Sequence, residues 1–476
     1  MGSIITQRLP TLCARAIINS IRYQSTSTQS TRRNLTHASL NKGNETVAFP
    51  ESVQVKHHQE HSLARLPLSS IVRSLVLGTF FTSPLLYRPG ILVLGKVADS
   101  NSGLLNPDRN LLIRAIVKPL IYDHFCAGTN KAEIQRNVAK LKQIGFSGVI
   151  LGYGKEYDPR KQKHGQNTKK MVEAEAEIEH WRKGNVETLQ VLGEGDILAM
   201  KYTGAGKSVV QALLTGSKPP TQFNEALQEI CRIAAAQGTR LFVDAEQDEF
   251  QATIDDWTVD LMRQYNRDGK ALIYNTIQSY LKNSRSKLEH ELSLAEKEGW
   301  TLGVKLVRGA YIGSDPRHKI HDTKAETDAN YNGIVKDVLT GNILKHPTNR
   351  SSNIALFAAG HNPESVAKAS DLVRTLSAQN ALNTVPDFGQ LQGMGDTLSC
   401  RLIQHAQRMR AGAKDSVSTP GVYKYSVWGS VQDCMQYLVR RAVENRGGTD
   451  RMKDGMNELW EELRRRMRNW AMGRRG

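Results

Sequence analysis

The sequence has few cysteines, and none of them is spaced to form a disulfide framework or a zinc site. The five are Cys13, Cys126, Cys231, Cys400 and Cys434, and no C-x-x-C pair occurs. An odd number of widely separated cysteines fits neither a small disulfide-stabilised domain nor a cysteine-based metal centre. We therefore expect a reducing compartment and predict no metal.

Acidic residues are absent from residues 1–44, which contain six basic residues and many Ser and Thr. Arg8, Arg15 and Arg22 recur every seven residues, with aliphatic residues between them. This composition is typical of a mitochondrial transit peptide, which we predict for 1–44. A myristoylated start at Gly2 and a simple disordered leader are the alternatives.

Hydrophobic runs long enough to cross a membrane are also lacking. The longest, residues 74–87, is about fourteen residues and is interrupted by Pro84, whereas a span needs about twenty. We expect this run to pack as a helix. The chain ends in a basic segment, 447–476, with Trp and Met at helical spacing. We predict that this segment forms an amphipathic helix, which either docks on anionic lipid or covers the protein core.

The formal net charge of +17 raises the alternative of a mitochondrial nucleic-acid-binding protein. Much of this charge lies in the leader and the tail, and no basic motif interleaved with aromatic residues is present. Both observations argue against recognition of nucleic acid. We therefore expect no nucleic-acid partner.

Short β-prone runs alternate with helical patterns from residue 145 onward. The eight runs are SGVILGY (147–153), LAMKYTG (198–204), RLFVDAE (240–246), ALIYNTIQ (271–278), TLGVKLVRG (301–309), IALFAAGH (354–361), TVPDFGQL (384–391) and VYKYSVWG (422–429). Successive apolar residues indicate parallel strands covered on both faces. We predict an α/β fold, a distorted (β/α)8 barrel of the TIM type over 145–446, preceded by a mainly helical region, 45–144. The charged segment 155–185 is expected to be an exposed insertion.

Chemistry in such a barrel sits at the C-terminal ends of the strands. Polar and aromatic residues that occur there are Lys201, Asp244, Gln278, Lys305, Tyr311, His361 and Tyr425. Each of them alone could be structural; a Lys201–Asp244 pair, for example, could simply fill a polar layer.

On the helix after the last strand, Tyr437 precedes Arg440 and Arg441 by three and four residues, so the three side chains share a face. Arginine forks match a planar carboxylate, but a solvated basic face is the alternative.

Six motifs together resemble the proline dehydrogenases, the FAD-dependent mitochondrial proline oxidases. They are FVDAEQ (242–247), TIQSY (276–280), KLVRGAY (305–311), GHN (360–362), FGQLQGMGD (388–396) and YKYSVWG with YLVRRAVEN (423–429 and 437–445). The resemblance implies a barrel that binds FAD noncovalently and oxidises L-proline to Δ1-pyrroline-5-carboxylate. It further implies hydride transfer from proline C5 to flavin N5, and electron transfer to ubiquinone at the inner mitochondrial membrane, where the protein would bind peripherally.

The resemblance also assigns roles to individual residues. Arg440 and Arg441 would hold the proline carboxylate, with Lys201 nearby and paired with Asp244. The pocket walls would be Tyr311, Leu391, Tyr425 and Tyr437. The expected FAD contacts are Gln278, Lys305, His361 and Thr327. No residue is assigned as a general base.

The sequence departs from the family pattern at two places. Lys305 stands where some members have arginine, and SVW (426–428) replaces a stretch that commonly contains proline. Hydroxyproline dehydrogenase is the alternative activity, and it needs room for a ring hydroxyl. The bulk of Tyr425 favours proline.

Overall fold

A computed structural model of the chain describes residues 62–154, 167–344, 353–412, 419–444 and 449–473. The predicted leader, 1–44, lies outside the described residues, as does the start of the predicted helical region, 45–61. All statements of structure below concern the described ranges.

The N-terminal region is helical, as predicted. A 3-10 turn, Ser62–Arg65, precedes α1 (Leu68–Thr82), α2 (Pro84–Asp99) and α3 (Leu111–Val117). The chain continues through a π-helical turn, Lys118–Tyr122, and one α-helical turn, Asp123–Phe125. Helix α3 begins where it does because the Asn110 side chain accepts hydrogen bonds from the backbone of Leu112 and Ile113.

Nine parallel strands follow, and eight of them close into a barrel. The strands are β1 (Cys126–Gly128), β2 (Gly148–Tyr153), β3 (Ile197–Met200), β4 (Arg240–Val243), β5 (Ile273–Gln278), β6 (Leu302–Val307), β7 (Ile354–Ala359), β8 (Asp387–Leu391) and β9 (Val422–Trp428). Strands β2 to β9 pair in chain order, and β9 closes the ring on β2. All eight predicted strands are confirmed, and so is the (β/α)8 barrel.

Strand β1 was not predicted. It pairs with Val427 and Trp428 of β9, beyond the point where β8 ends its own pairing with that strand at Tyr425. A run of three residues, CAG, carries no periodicity that could distinguish it from a loop.

Eleven further helices among the described residues lie between the strands or follow β9 along the chain. In chain order they are α4 (Lys131–Ile144), α5 (Asn167–Leu189), α6 (Lys207–Thr215), α7 (Thr221–Gln237), α8 (Asp248–Tyr265), α9 (Ser284–Glu298), α10 (Lys324–Thr340), α11 (Pro363–Ala378), α12 (Asp396–Gly412), α13 (Val431–Glu444) and α14 (Thr449–Ala471). Helices α7 and α9 end at Gly238 and Gly299, as predicted, and both glycines have φ of 69°.

The charged segment 155–185 differs from the exposed insertion that the sequence suggested. Its second half belongs to α5, which packs against β2, and Ile178 and Trp181 are buried in the main core. Charged residues of the described part of this helix, such as Glu173, Glu175 and Lys183, are exposed, and they masked its two apolar anchors.

The interior of the barrel is filled at its N-terminal end, so a ligand must enter from the other end. Phe242, Tyr274, Phe357 and Tyr423 pack inside it, with the Phe242 and Phe357 ring centroids 4.8 Å apart. Below them Arg240 pairs with Asp387 at 2.6 Å. This closed end leaves the C-terminal ends of the strands as the place for chemistry.

Among the described residues, no single helix is long and apolar enough to cross a membrane. Taken together, α1 and α2 are long and apolar enough to do so by length and composition, but the two helices are bent by 99° relative to each other.

Candidate active site

Asp244, immediately after β4, is shared by two side chains from distant strands. Lys305 Nζ of β6 lies 2.5 Å from Asp244 Oδ1, and the Tyr425 hydroxyl of β9 donates to Asp244 Oδ2 at 2.8 Å. Asp244 and Lys305 are each only 7% exposed. The ion pair and the hydrogen bond satisfy both carboxylate oxygens of this buried side chain. The network therefore fixes the Tyr425 ring across the barrel mouth.

The fixed position of Tyr425 also depends on Gly152 of β2. A Cβ atom at residue 152 would lie 3.0 Å from the Tyr425 hydroxyl oxygen, which is closer than most Cβ contacts. Any larger residue would push the phenol away from Asp244. Glycine at this position thus leaves room for the Tyr425 hydroxyl beside β2.

Two cations converge on the ring of Tyr437 in α13. The Arg441 guanidinium carbon lies 5.5 Å from the ring centroid, and Lys201 Nζ lies 5.9 Å from it. Tyr437 is 7% exposed, and Arg440 and Arg441 are partly buried. The predicted contact between Tyr437 and Arg441 is therefore present, and it places Lys201 and the arginine-bearing helix together. Partial burial also argues against a fully solvated basic face.

The predicted pairing of Lys201 with Asp244 stays a prediction. The partner for which the structure gives a distance is Lys305, for which the resemblance implies a contact with FAD. The sequence could not reveal this pair, because the two residues are 61 positions apart on strands that are not neighbours in the ring.

A turn after β6 brings the backbone of Ala310, the residue before Tyr311, to the side chain of Gln278. The Gln278 side-chain carbonyl at the end of β5 accepts from the backbone N–H of Ala310 at 2.9 Å. Gly309, with φ of 149°, starts this turn, and a Cβ atom there would overlap the ring of Tyr280. The carbonyl of Gln278 is thereby occupied, and its NH2 group retains donor capacity.

His361 and Leu391 meet at the ends of β7 and β8. The backbone N–H of Leu391 donates to His361 Nε2 at 3.3 Å, which makes this nitrogen the acceptor. Thr327 lies on α10, where its hydroxyl donates to the backbone carbonyl of Thr323 at 3.4 Å. The structure thus joins His361 to a predicted pocket wall and places Thr327 on a surrounding helix.

A buried ion pair beneath the β8–α12 loop was not predicted. Lys424 of β9 is 2% exposed, and its Nζ lies 2.7 Å from Asp396 and donates to the Met394 carbonyl at 2.8 Å. Burial alone would raise the pKa of Asp396, but the attraction of Lys424 outweighs it and lowers that pKa. A lysine within an otherwise apolar and aromatic strand could have indicated a buried partner.

The Lys424–Asp396 pair lies behind the site and supports it. Lys424 Nζ also contacts the Leu391 carbonyl at 3.4 Å, so the cation binds the loop that carries Leu391. On the next residue of β9, Tyr425 points to the opposite face and into the barrel mouth. Lys424 therefore holds the β8–α12 loop from outside the barrel, and Tyr425 lies in the pocket on the inside.

The donor set at the mouth is compatible with a flavin ring. Gln278 and Lys305 supply a hydrogen-bond donor and a cation at the ends of neighbouring strands. The pyrimidine edge of a flavin accepts hydrogen bonds and carries negative charge when reduced. The residues thus match the chemistry of the cofactor, although Asp244 already neutralises part of the charge of Lys305.

The sequence matches a family model described as proline dehydrogenase over residues 134–454. A probable proline dehydrogenase, mitochondrial, of Schizosaccharomyces pombe is 33% identical over 256 residues, which cover 52% of this chain and 50% of that protein. Proline dehydrogenase 2, mitochondrial, of Arabidopsis thaliana is 28% identical over 461 residues, covering 87% and 90%. Human proline dehydrogenase 1, mitochondrial, is 33% identical over 327 residues, covering 62% of this chain and 50% of its own length. The chain thus matches about half the length of the fission-yeast and human relatives.

A solved structure with a similar fold is that of proline utilization A (PutA) from Bdellovibrio bacteriovorus inactivated by N-propargylglycine. Its TM-score is 0.59 at 18% identity, over 82% of this chain and 40% of that one. At this identity the likeness concerns the fold alone. The family model, in contrast, spans more than half of the sequence and all eight barrel strands. The chain belongs to the proline dehydrogenase family.

Proposed function

We propose that this chain oxidises L-proline to Δ1-pyrroline-5-carboxylate with FAD as cofactor and ubiquinone as electron acceptor. The observation that carries the proposal is the convergence of Lys201 and Arg441 on Tyr437, in a barrel whose mouth also holds the Asp244–Lys305–Tyr425 network. A small amino acid with a negatively charged carboxylate and an apolar ring suits a site with cations on one side and aromatic walls on another.

In this proposal Arg440 and Arg441 bind the proline carboxylate. The forked guanidinium groups offer paired N–H donors, and the Tyr437 ring beneath Arg441 restricts the positions that its guanidinium can take. Lys201 adds positive charge to the same place. Because one end of the substrate is held by several charge-assisted contacts, C5 of the ring takes a defined position.

Tyr311, Leu391 and Tyr425 form the walls around the proline ring. They exclude water and favour a neutral amine, whose lone pair assists the loss of hydride from C5. The hydroxyl of Tyr425 is bound to Asp244, which keeps the ring of Tyr425 from turning away. No side chain is proposed as a general base.

Gln278, Lys305, His361 and Thr327 are the proposed contacts to FAD. When bound, FAD would supply the electron acceptor to which C5 transfers its hydride. Lys305 would place a positive charge near the ring, and its ion pair with Asp244 fixes where that charge lies. Gln278 would donate through its NH2 group.

Proline is favoured over hydroxyproline because Tyr425 is bulky and held in place. A ring hydroxyl would have to fit against a phenol that Asp244 and the narrow space beside Gly152 both restrict. We therefore expect a higher kcat/KM for L-proline than for trans-4-hydroxyproline, measured with a soluble quinone. Equal values for the two substrates would contradict this assignment.

We further propose a mitochondrial location, peripheral to the matrix side of the inner membrane. The curated relatives described above are named mitochondrial. Ubiquinone is a lipid-soluble acceptor, so the enzyme must come close to the bilayer that holds it.

The test of the activity is spectroscopic. The purified protein should be yellow, with a flavin absorbance that L-proline bleaches in the absence of oxygen and that quinone then restores. A preparation that takes up no FAD, or whose flavin does not respond to L-proline, would overturn the proposed function.

A further inference from the structure

The solvent sides of α1, α2 and α3 are unusually apolar. Of the nineteen large hydrophobic residues that are exposed among the described residues, thirteen lie between residues 68 and 120. They are Leu68, Val72, Val76, Leu85, Leu86, Leu92, Val93, Leu104, Leu105, Leu111, Leu112, Ile116 and Leu120. Apolar side chains concentrated in one part of a surface indicate an interaction site rather than chance exposure.

These residues follow the helical period. On α1, Leu68, Val72 and Val76 are exposed at intervals of four residues, whereas Ile71 and Leu75 between them are buried. On α2, Leu85 is 86% exposed and Leu92, two turns later, is 58% exposed. Each helix thus has two apolar sides, one packed on the protein and the other facing solvent.

Basic residues are interleaved with the apolar ones, and acidic residues are few. Between His61 and Ala98 the sequence contains no Asp or Glu. Arg88 and Lys96 are exposed on α2, and they fall on the same helical stripe as Leu85 and Leu92. We call the exposed apolar residues of α1–α3, together with Arg88 and Lys96, the apolar-basic face. Its charge complements anionic lipid headgroups, and its aliphatic residues suit the layer beneath them.

The inner sides of the same helices are held by the rest of the protein. The Tyr87 hydroxyl donates to the Ala442 carbonyl of α13 at 3.0 Å, and the Gln436 side chain of α13 donates to the Ala98 carbonyl at 3.0 Å. Helix α1 packs against α14. Because these contacts would be lost if α1 and α2 crossed a bilayer, a surface-bound position agrees better with the fold.

We propose that the apolar-basic face docks the protein on an anionic phospholipid bilayer, with its aliphatic side chains inserted at the boundary of headgroups and acyl chains. The proposal rests on the proposed membrane association and assigns it to α1–α3 rather than to the C-terminal helix. Helix α2 packs along α13, which carries Arg440 and Arg441. Docking therefore brings the helix of the carboxylate clamp within one helix layer of the bilayer, where a lipid-soluble acceptor is found.

The test is vesicle flotation of the full chain with phosphatidylcholine, with and without phosphatidylglycerol. The wild type should float more with the anionic vesicles. The triple variant Leu85→Gln/Leu92→Gln/Leu112→Gln should lower the partition coefficient roughly tenfold or more, because it removes three inserted aliphatic groups. The double variant Arg88→Gln/Lys96→Gln should lose the preference for phosphatidylglycerol.

The matched control changes exposed hydrophobic residues outside the face. Leu214→Gln/Met467→Gln/Trp470→Gln removes three such residues, two of them on α14. This control should float as the wild type does. If it abolishes flotation while the α1–α3 variant does not, the docking element is α14 and the proposal is wrong. Absence of flotation by the wild type, or a dimer that the α1–α3 variant dissociates, would likewise overturn it.

Bleaching of the flavin by L-proline, measured without vesicles, separates this proposal from the proposed function. The α1–α3 variant should bleach like the wild type, because its three positions are exposed on α2 and α3 and none is proposed to bind proline or FAD. Lost flotation with retained bleaching supports docking through this face. Retained flotation overturns the docking surface and leaves the oxidation of proline standing.

Discussion

At the scale of the residue, Arg441 carries a positive charge whose position is restricted by a neighbouring ring. Its guanidinium lies against Tyr437, and Lys201 lies at a similar distance from the same ring. A methionine in its place would keep much of the side-chain volume but lose the donors to the substrate carboxylate. Hydrogen bonds to charged groups are worth about 1.5–3 kcal/mol.

We therefore expect Arg441→Met to raise the KM for L-proline by roughly 10- to 100-fold. The FAD content, measured by absorbance after purification, should not change, because Arg441 is proposed to contact substrate only. Arg374→Met is the control, since Arg374 is an exposed arginine of α11. An unchanged KM in Arg441→Met would refute the carboxylate clamp.

Lys424 illustrates the opposite case, a charged residue that supports the site from behind. Its ion pair with Asp396 is buried, and its ammonium group also binds the carbonyls of Leu391 and Met394. Removing one partner of such a pair leaves the other charge buried and unpaired, which costs about 3–5 kcal/mol.

Lys424→Met should therefore lower the free energy of unfolding by about 3 kcal/mol or more. The double variant Lys424→Met/Asp396→Leu should recover part of this loss, because no charge remains buried. Denaturant titration measures both. If the single and double variants were equally destabilised, the cost would come from lost packing rather than from the unpaired carboxylate.

At the scale of the element, the pattern of the sequence was sufficient for the barrel strands and insufficient for two other elements. Each barrel strand has several consecutive apolar residues between turn residues, which is a strong local signal. Strand β1 has three residues and no such signal. Helix α5 was obscured because the charges of its solvent side dominate the composition of the segment, while Trp181 and Ile178 hold it to the core.

A group of titratable residues lies between α8, α9 and β5. Lys287 pairs with Asp255 at 2.5 Å, and Asn275 donates to Glu291 at 3.2 Å. Burial raises the pKa of Glu291 to about 7, although the attraction of Lys287 opposes the shift. In the unfolded chain a glutamate has a pKa of about 4.3.

Between about pH 4.5 and 7 the folded protein therefore keeps a proton on Glu291 that the unfolded chain has released. Unfolding releases this proton, so the group's contribution to stability is present below pH 4.5 and is lost as the pH rises to 7. Glu291→Gln should remove this dependence, and its Tm should fall less than that of the wild type between pH 5 and 7. Glu289→Gln, on the more exposed side of α9, should behave as the wild type does. Parallel Tm curves for wild type and Glu291→Gln would contradict the raised pKa.

At the scale of the whole molecule, the site depends on a closed barrel with one open end. Arg240 and the aromatic residues fill the N-terminal end, and at the other end the contacts of Asp244 with Lys305 and Tyr425 join β4, β6 and β9. That Lys201 and Asp244 lie at the same end of the barrel could be predicted from the sequence, because each directly follows a strand and the C-terminal ends of all barrel strands lie together. The ion-pair partner of Asp244 could not be predicted from the sequence. Which side chain reaches Asp244 across the mouth depends on how the side chains pack in the folded barrel.

Binding of FAD should stabilise the whole fold, because the proposed contacts come from several strands and helices. A ligand present at a hundred times its Kd adds about 2.7 kcal/mol to the free energy of unfolding. We expect FAD added to flavin-free protein to raise the Tm by a few degrees.

The variant Arg441→Met should show the same rise in Tm on adding FAD. Lys305→Arg should show it as well, because the cation beside Asp244 remains. Lys305→Met should lower the Tm of the flavin-free protein, since Asp244 loses its ion pair, and it should also reduce the rise on adding FAD. The size of the rise, rather than the Tm itself, measures the contribution of Lys305 to the cofactor, and an undiminished rise in Lys305→Met would remove Lys305 from the flavin site.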